Sequence, residues 1–347
     1  MTTLNFPPVR ARAPLRIGLA GGGTDLSPFS DEHGGVILNC TIDRYAFAFL
    51  TPRTDGRVEF CAKDQGRSEV FDLPEESVNS TLLLHRGVYH RIMQEFNNGE
   101  LMPMTVTTSV DVPMGSGLGT SSSIVVALIE AFRRLLDLPL GRYDVARLAY
   151  EIERVDLQLA GGKQDQYAAA FGSINFIEFL ANDRVIVNPL RVPEWIVNEL
   201  ESSMVVAFSG QSRASADING ELMSSMSKQD TRAMSALFDL KRDAIEMKSA
   251  LLRGDIHGLS DILQRSWIAK KTAANKVSNA RIEELFELAL TNGALSGKVS
   301  GAGGGGFLMF IVPPESRHEL IEALCAAGAE ASPVKFTHEG CESWQIK

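Results

Sequence analysis

The chain is poor in cysteine, has no long apolar run, carries fewer basic than acidic residues, and lacks the commonest nucleotide-binding motif. Its four cysteines (40, 61, 325 and 341) form no Cys-x-x-Cys pair and no metal-ligand spacing. That excludes a disulfide scaffold or a cysteine-based zinc site and predicts reduced thiols. No apolar stretch approaches the roughly 20 residues needed to span a bilayer as a helix. Met1 to Arg16 hold three arginines and two adjacent prolines but no apolar segment of the signal-peptide kind, so a cytoplasmic location is expected. Lys and Arg number 34 against 43 Asp and Glu, a formal charge of −9. Nucleic acid and anionic membrane are therefore poor partners, and an anionic ligand would need a local basic site. With 347 residues, 44% of them hydrophobic and 22% charged, the chain has ordinary globular composition and ample core for one large or two medium domains.

No Walker A loop is present. The nearest sequence, Gly293-Ala-Leu-Ser-Gly-Lys298-Val-Ser, has the wrong spacing and Val299 where a hydroxyl belongs. Gly301-x-Gly303-x-x-Gly306 matches the dinucleotide fingerprint as a pattern. That fingerprint must open a helix, and Phe307 to Val312 predicts a strand instead.

What is present centres on Pro113-Met-Gly-Ser-Gly-Leu-Gly-Thr-Ser-Ser-Ser-Ile124. Met104, Val106, Thr108, Val110 and Val112 alternate before it as a strand, and an apolar helix from about Ser122 to Leu136 follows. Between them lie Gly115, Gly117 and Gly119 and the hydroxyls Thr120, Ser121, Ser122 and Ser123. Glycines permit close backbone approach, and the first turn of a helix offers unpaired N–H groups at the positive end of its dipole. Together they suit an anion, above all a nucleotide phosphate. The structural alternative is a tight turn with serine caps. Three glycines and four hydroxyls exceed what one cap requires, and two more glycine-rich stretches occur at 21–25 and 301–306.

Elsewhere, Leu15, Ile17 and Leu19 form a strand with Arg16 on its other face, ending in Gly21-Gly22-Gly23-Thr24-Asp25. Strands are expected at 36–39, 46–50, 58–61 and 69–71, with Asp55-Gly56 as a hairpin-type turn, and a helix from Ser80 to Phe96. His85 and His90 on that helix lack metal spacing. A helix from Tyr143 to Leu159 has its apolar stripe on Val145, Leu148, Ala149, Ile152, Val155 and Leu159. Glu151 and Glu153 flank the stripe, and Glu151 has Arg154 as an i,i+3 partner. Gly161-Gly162-Lys163-Gln164-Asp165 follows, its aspartate either a helix cap or a base at a site edge. A hairpin spans 173–187, and residues 189–201 form a connector. The second half holds strands at 204–208, 295–300, 307–312 and 333–336 and helices at 231–253, 255–274, 279–291 and 315–327, with a polar loop at 209–215. The pattern predicts two α+β domains, cut at 1–190 and 191–347.

Three segments in this order resemble the GHMP superfamily of small-molecule kinases: Ala13 to Asp25, Pro113 to Ser123, and Lys298-Val-Ser-Gly-Ala-Gly-Gly-Gly-Gly-Phe307. The resemblance covers nearly the whole chain. It implies a ribosomal-protein-like N-terminal domain, a ferredoxin-like C-terminal domain, and a cleft between them for ATP and acceptor. Asp165 matches the catalytic aspartate and Arg16 the basic residue that stabilises it and the moving phosphoryl group. Pro113, Gly115, Ser116, Gly117, Leu118 and Gly119 with Thr120 to Ser123 match the ATP loop. Ser121, Ser122 and Glu153 match Mg²⁺ ligands, although Glu153 stands one residue further from Asp165 than in mevalonate kinases. Arg12, Gly22, Gly23, Thr24, Asp25, Gly162, Gly303 and Gly304 match acceptor-binding positions.

The form of the motifs is similar to that of heptose 7-phosphate kinases, and fucokinase-like domains share much of it. The resemblance therefore implies ATP and Mg²⁺ as cofactors and a sugar phosphate as partner, phosphorylated at its anomeric hydroxyl for nucleotide-activated heptose and surface polysaccharide. Arg10, Arg12, Arg213, Lys270 and Lys271 are candidates for the acceptor's own phosphate. A second copy of the chain is carried as a possible partner. Two rival readings stay open: a kinase of fucose, another free sugar or an isoprenoid alcohol, and a catalytically silent sugar sensor on the same fold.

Overall fold

In the computed structural model, which describes residues 6–73, 79–211 and 215–346, Leu15, Ile17 and Leu19 belong to a longer strand, β1 (Val9–Ala20). The loop at 21–25 and a short helix α1 (Phe29–His33) lead into β2 (Gly35–Pro52), one strand where two are expected. β3 (Arg57–Ala62) and β4 (Arg67–Asp72) follow, then α2 (Leu83–Phe96), β5 (Met104–Val110) and α3 (Thr120–Leu135). Next come α4 (Arg142–Tyr150), a π-helical turn (Glu151–Asp156), α5 (Gln164–Phe171), β6 (Ile174–Phe179) and β7 (Val185–Pro189). With β12 (Glu342–Gln345) from the end of the chain, the sheet runs β12-β1-β2-β5-β3-β4, with β6 on the first half of β2 and β7 outside it. The Asp55-Gly56 turn joins strands that are not neighbours, because β5 lies between them and pairs with β3 in parallel.

The second unit contains α6 (Glu194–Ser202), β8 (Met204–Phe208), α7 (Ser215–Ser227), α8 (Thr231–Arg253), α9 (Ile256–Ala273) and α10 (Ala280–Thr291). It closes with β9 (Ser296–Val299), β10 (Phe307–Ile311), α11 (Arg317–Ala326) and β11 (Glu330–Pro333). Its four strands are antiparallel in the order β11-β8-β10-β9, the 4-1-3-2 arrangement of a ferredoxin-like β-α-β-β-α-β unit. The α+β class implied by the resemblance is the one adopted.

Two expectations are corrected. Residues 194–202 are helical rather than connecting, since Ile196, Val197 and Leu200 make one buried face. The last strand of the second sheet is β11, and Phe336 makes only an isolated bridge to Ile42. β12 returns from the second half of the chain to pair with β1.

A β-bulge decides which way β1 points. Its register with β2 slips between Pro14 and Leu15. Val9, Ala11 and Ala13 pack in the cluster that holds α3, whereas Leu15, Ile17 and Leu19 pack in the cluster that holds β8, β10 and α8. Bulges re-aim side chains in this way. The second cluster also contains Val206, Met247 and Phe307, so the two units share one apolar core rather than meeting through a linker.

The units also touch backbone to backbone. Phe307 N donates to Ser116 O at 2.8 Å. A Cβ on Gly117 would lie 2.6 Å from Ser300 O, one on Gly301 2.5 Å from Gly117 O, and one on Gly306 would overlap Ser116 O. Gly306 has φ +81° as well. Gly306→Ala should therefore destabilise the protein by about 2 kcal/mol or more, through strain and steric overlap together. A lowered urea midpoint with unchanged slope is the expected readout.

Candidate active site

Arg16 follows the bulge and so projects from β1 toward α3 and α5. Its Nε and one terminal nitrogen grip Asp165 Oδ1 at 2.7 and 2.6 Å. The other terminal nitrogen donates to Gly117 O at 2.7 Å and lies 3.4 Å from Ser300 Oγ. Arg16 is buried, while Asp165, in the first turn of α5, keeps Oδ2 free of any protein donor among the described residues. The three motif segments thus converge on one guanidinium.

Around it lies a cavity of about 300 Å³ lined by Gly22, Gly23 and Asp25, by Gly115 to Gly117 and Gly119 to Ser121, by Gly161, Gly162, Gln164 and Asp165, and by Lys270, Gly301 and Ala302. Gly119 (φ +79°) begins α3, and no side chain caps the helix. The cavity wall formed by Thr120 and Ser121 is therefore an open helix N-terminus, suited to an anion. Asp25 accepts from Gln164 N at 3.1 Å and Gly23 N at 3.3 Å. Burial raises its pKa, those backbone donors oppose the rise, and nearby Asp165 adds to it. Gly162 has to be glycine here, because a Cβ would overlap the Asp25 carboxylate.

Glu153 is not a flanking surface residue. The π-turn, marked by Leu157 N donating to Ile152 O, changes the angular step along the chain. Glu153 turns fully inward and Val155 outward, so the expected stripe breaks there. Glu153 accepts from Ser121 Oγ at 3.1 Å, Ser122 Oγ at 2.6 Å and Gln166 Nε2 at 2.5 Å. A π-turn also takes up one more residue per turn than an α-turn, which suits the longer Glu153–Asp165 spacing. Glu151 pairs with Arg91 and Arg147 rather than Arg154.

Several expected site residues lie elsewhere. Arg12, before the bulge, bonds Glu342 at 2.5 Å and stacks over Tyr45, away from the cavity. Thr24 is a buried staple whose Oγ1 bonds Gly21 O and both polar backbone groups of Val36. Gly303 and Gly304 pack on Val277, with Gly304 N donating to Val277 O at 2.7 Å. Pro113 is exposed, Leu118 joins the core, and Ser123 Oγ donates to Pro14 O, so these three support the loop without lining the cavity. Ser122 does not line the cavity; its Oγ donates to Glu153 and accepts from Gln166 Nε2. Of the five basic candidates, Lys270 lines the cavity. Lys271 pairs with Glu283, Arg10 stands exposed on β1, and Arg213 lies outside the described residues. His85 is buried against Thr108, in keeping with a structural role.

No site role was expected from the sequence for Arg154, for Lys298 or for a further helix. Arg154 reaches under the 159–162 loop, donating to Gly162 O and Leu159 O at 3.3 Å each. Its signal was Gly161, which leaves the space the guanidinium fills. Lys298 is buried with Nζ donating to Leu19 O at 3.1 Å. α7 supplies Ile218, Asn219 and Leu222 from a stretch in which no helix was expected.

The profiles described as GHMP kinases N terminal domain and GHMP kinases C terminal match residues 83–173 and 247–330. This chain belongs to the GHMP kinases. It is 44% identical over 339 residues to a D-glycero-alpha-D-manno-heptose 7-phosphate kinase of Campylobacter jejuni, covering 97% of this chain and 99% of that protein. The crystal structure of a D-glycero-D-manno-heptose 1-phosphate kinase from Bacteroides thetaiotaomicron is similar at 43% identity and TM-score 0.82, over 98% of this chain and 99% of that one. A bifunctional fucokinase/GDP-fucose pyrophosphorylase of Arabidopsis thaliana is 26% identical over 92% of this chain and 31% of its own length. This GHMP kinase is a phosphotransferase with an alcohol acceptor, and ATP is the donor that family membership implies. No helix among the described residues is long and apolar enough to cross a membrane.

Two outcomes follow from the geometry. Asp165→Asn should keep ATP binding nearly intact and lower turnover by roughly 10²-fold or more, as loss of a base does. Turnover within a few-fold of the parent would remove Asp165 from that role. Gly117→Val should weaken ATP binding, because φ +78° and the approach to Ser300 O both exclude a side chain. Calorimetric titration of the folded variant checks this, and unchanged affinity would make the loop a structural turn only.

Proposed function

We propose that this GHMP kinase transfers the terminal phosphoryl group of ATP to the anomeric hydroxyl of D-glycero-D-manno-heptose 7-phosphate, giving the 1,7-bisphosphate for nucleotide-activated heptose. The observation that carries this reading is the 44% identity across 99% of a heptose 7-phosphate kinase. The similar crystal structure is named for the 1-phosphate of the same sugar, so the position attacked is the point to test.

The residues have distinct tasks in this reading. The glycine loop and the open N-terminus of α3 receive the phosphates of ATP. Arg16 occupies Asp165 Oδ1 and leaves Oδ2 to orient the attacking hydroxyl and take its proton. Asp25, beside Gly22, Gly23 and Gly162, offers a carboxylate to the acceptor's hydroxyls. Glu153 with the hydroxyls of Ser121 and Ser122 is a hard-oxygen donor set that suits Mg²⁺, and Ser121 connects it to the cavity. When bound, Mg²⁺ offsets charge on the phosphates. The fucokinase-like reading draws on the lower identity to the Arabidopsis protein. A silent sensor would have no need of an Arg16–Asp165 pair facing the cavity.

The test supplies ATP with heptose 7-phosphate, heptose 1-phosphate, unphosphorylated heptose or fucose and follows products by phosphorus NMR. Heptose 7-phosphate should have the highest kcat/KM, at least roughly tenfold above unphosphorylated heptose, because charge-assisted bonds to its phosphate position the reacting hydroxyl. Consumption of the 1-phosphate alone, or equal values for the phosphorylated and free sugar, would overturn the assignment.

A further inference from the structure

Lys270 stands in the last turn of α9 with its ammonium inside the cavity wall. Three cations line that cavity among the described residues. Arg16 is held by Asp165 and Arg154 lies 3.7 Å from Glu153, whereas Lys270 has no carboxylate within salt-bridge distance among the described residues. Its Nζ donates to the carbonyl of Gly301, which leaves two of its three N–H groups without an acceptor among the described residues. Only 8% of the residue is exposed. Burying an ammonium with no carboxylate in direct contact is costly, which makes it a poor structural choice and a good receptor for an arriving anion.

The position selects which anion. Gly301 is the residue that packs on Gly117 of the phosphate loop. On the other side, a Cβ on Gly22 would lie 3.8 Å from Nζ. Lys270 therefore stands between the ATP loop and the acceptor loop, beside Arg16 and Asp165, where the phosphoryl group crosses. We propose that Lys270 is a catalytic residue, the second cation on the phosphoryl group in transit, supplied by the ferredoxin-like unit to complement Arg16 from the first. The acceptor oxygen bonds to phosphorus as the bond to the ADP oxygen breaks, and the hydroxyl proton passes to Asp165. Lys270 keeps its protons throughout and stabilises charge on the equatorial oxygens. This inference rests on the chain being a kinase and not on which sugar it takes.

A pH signature accompanies the role. The charged groups facing Lys270 are Arg16 from β1, Asp25 from the following loop, Asp165 from α5 and Lys298 from β9. Burial above all, with Arg16 beside it, brings the Lys270 pKa down to about 8 against the opposing pull of Asp25 and Asp165. The ammonium is present below that pH and lost above it, so kcat/KM should fall on the alkaline side with a limb near 8.

The experiment compares parent, Lys270→Met and Lys270→Arg across pH, with the sugar the parent consumes best and with no sugar. Lys270→Met should lower kcat by roughly 10²-fold or more, the kind of loss seen when a transition-state cation is removed. It should leave the acceptor KM within a few-fold, abolish the alkaline limb, and slow acceptor-free ATP hydrolysis by a similar factor. Its thermal midpoint should not fall, since a buried charge has been removed. Lys270→Arg should recover part of kcat and move the limb above the range. Turnover of the Met variant within a few-fold of the parent, or an alkaline limb that persists in it, would overturn the proposal. So would a Met variant with normal ATP hydrolysis and a raised KM for phosphorylated acceptor alone, which would assign Lys270 to the acceptor's own phosphate.

Discussion

The Arg16 guanidinium is the contact on which the arrangement of the active site depends. One end holds Asp165 by a two-pronged bond, and the other holds the carbonyl of Gly117 and approaches Ser300. A planar fork with five donors can serve an acid, a loop carbonyl and a hydroxyl together, which a lysine's point charge cannot do with fixed geometry. Because these partners sit on α5, the phosphate loop and the second unit, a shift in any one of them reaches the others through this side chain. The register slip between β1 and β2 at Pro14 and Leu15 makes the contact possible, since Arg16 turns to the α3 side and Arg12 stays outside.

The glycines of the phosphate loop and of the third motif have a shared reason. Each loop approaches the other's backbone too closely for a side chain, at Gly117 against Ser300 and at Gly301 and Gly306 against Gly117 and Ser116. Close approach to a ligand is thus only part of their task. The loop also has no lysine of its own of the Walker A type. The cations beside it arrive from a strand in the first unit and a helix in the second, Arg16 and Lys270.

The π-turn at Glu151–Asp156 shows how a local irregularity creates a site. A continued α-helix would have kept Glu153 to one side of the apolar stripe and Val155 within it. Widening the turn buries a carboxylate under the start of α3, where two serine hydroxyls and an amide satisfy it. Such a buried acid is stable only when every oxygen has a partner. The same turn leads into the loop that Arg154 supports and that sets Gly162 against Asp25.

Periodicity by itself determined most of the elements: the strands at 104–110 and 204–208, the long helices α8 to α10, and the helix behind the phosphate loop all follow from where apolar residues recur. Motif residues likewise pointed to the kinase family, and three of them, Gly117, Asp165 and Arg16, are brought together at one cavity. What pairs with what was decided by tertiary structure. Local composition carries no record of a bulge that reverses a strand's faces, a π-turn that swaps Glu153 for Val155, or a final strand that returns to β1 across the whole chain. Thr24, Gly303 and Gly304 look like ligand residues from their neighbours, yet they are held by Val36 and Val277. Lys270 looks like any helix-end lysine until α9 is packed beside Gly22 and Gly301. Burial, and with it the worth of a charge, is a property of the packed molecule rather than of the residue.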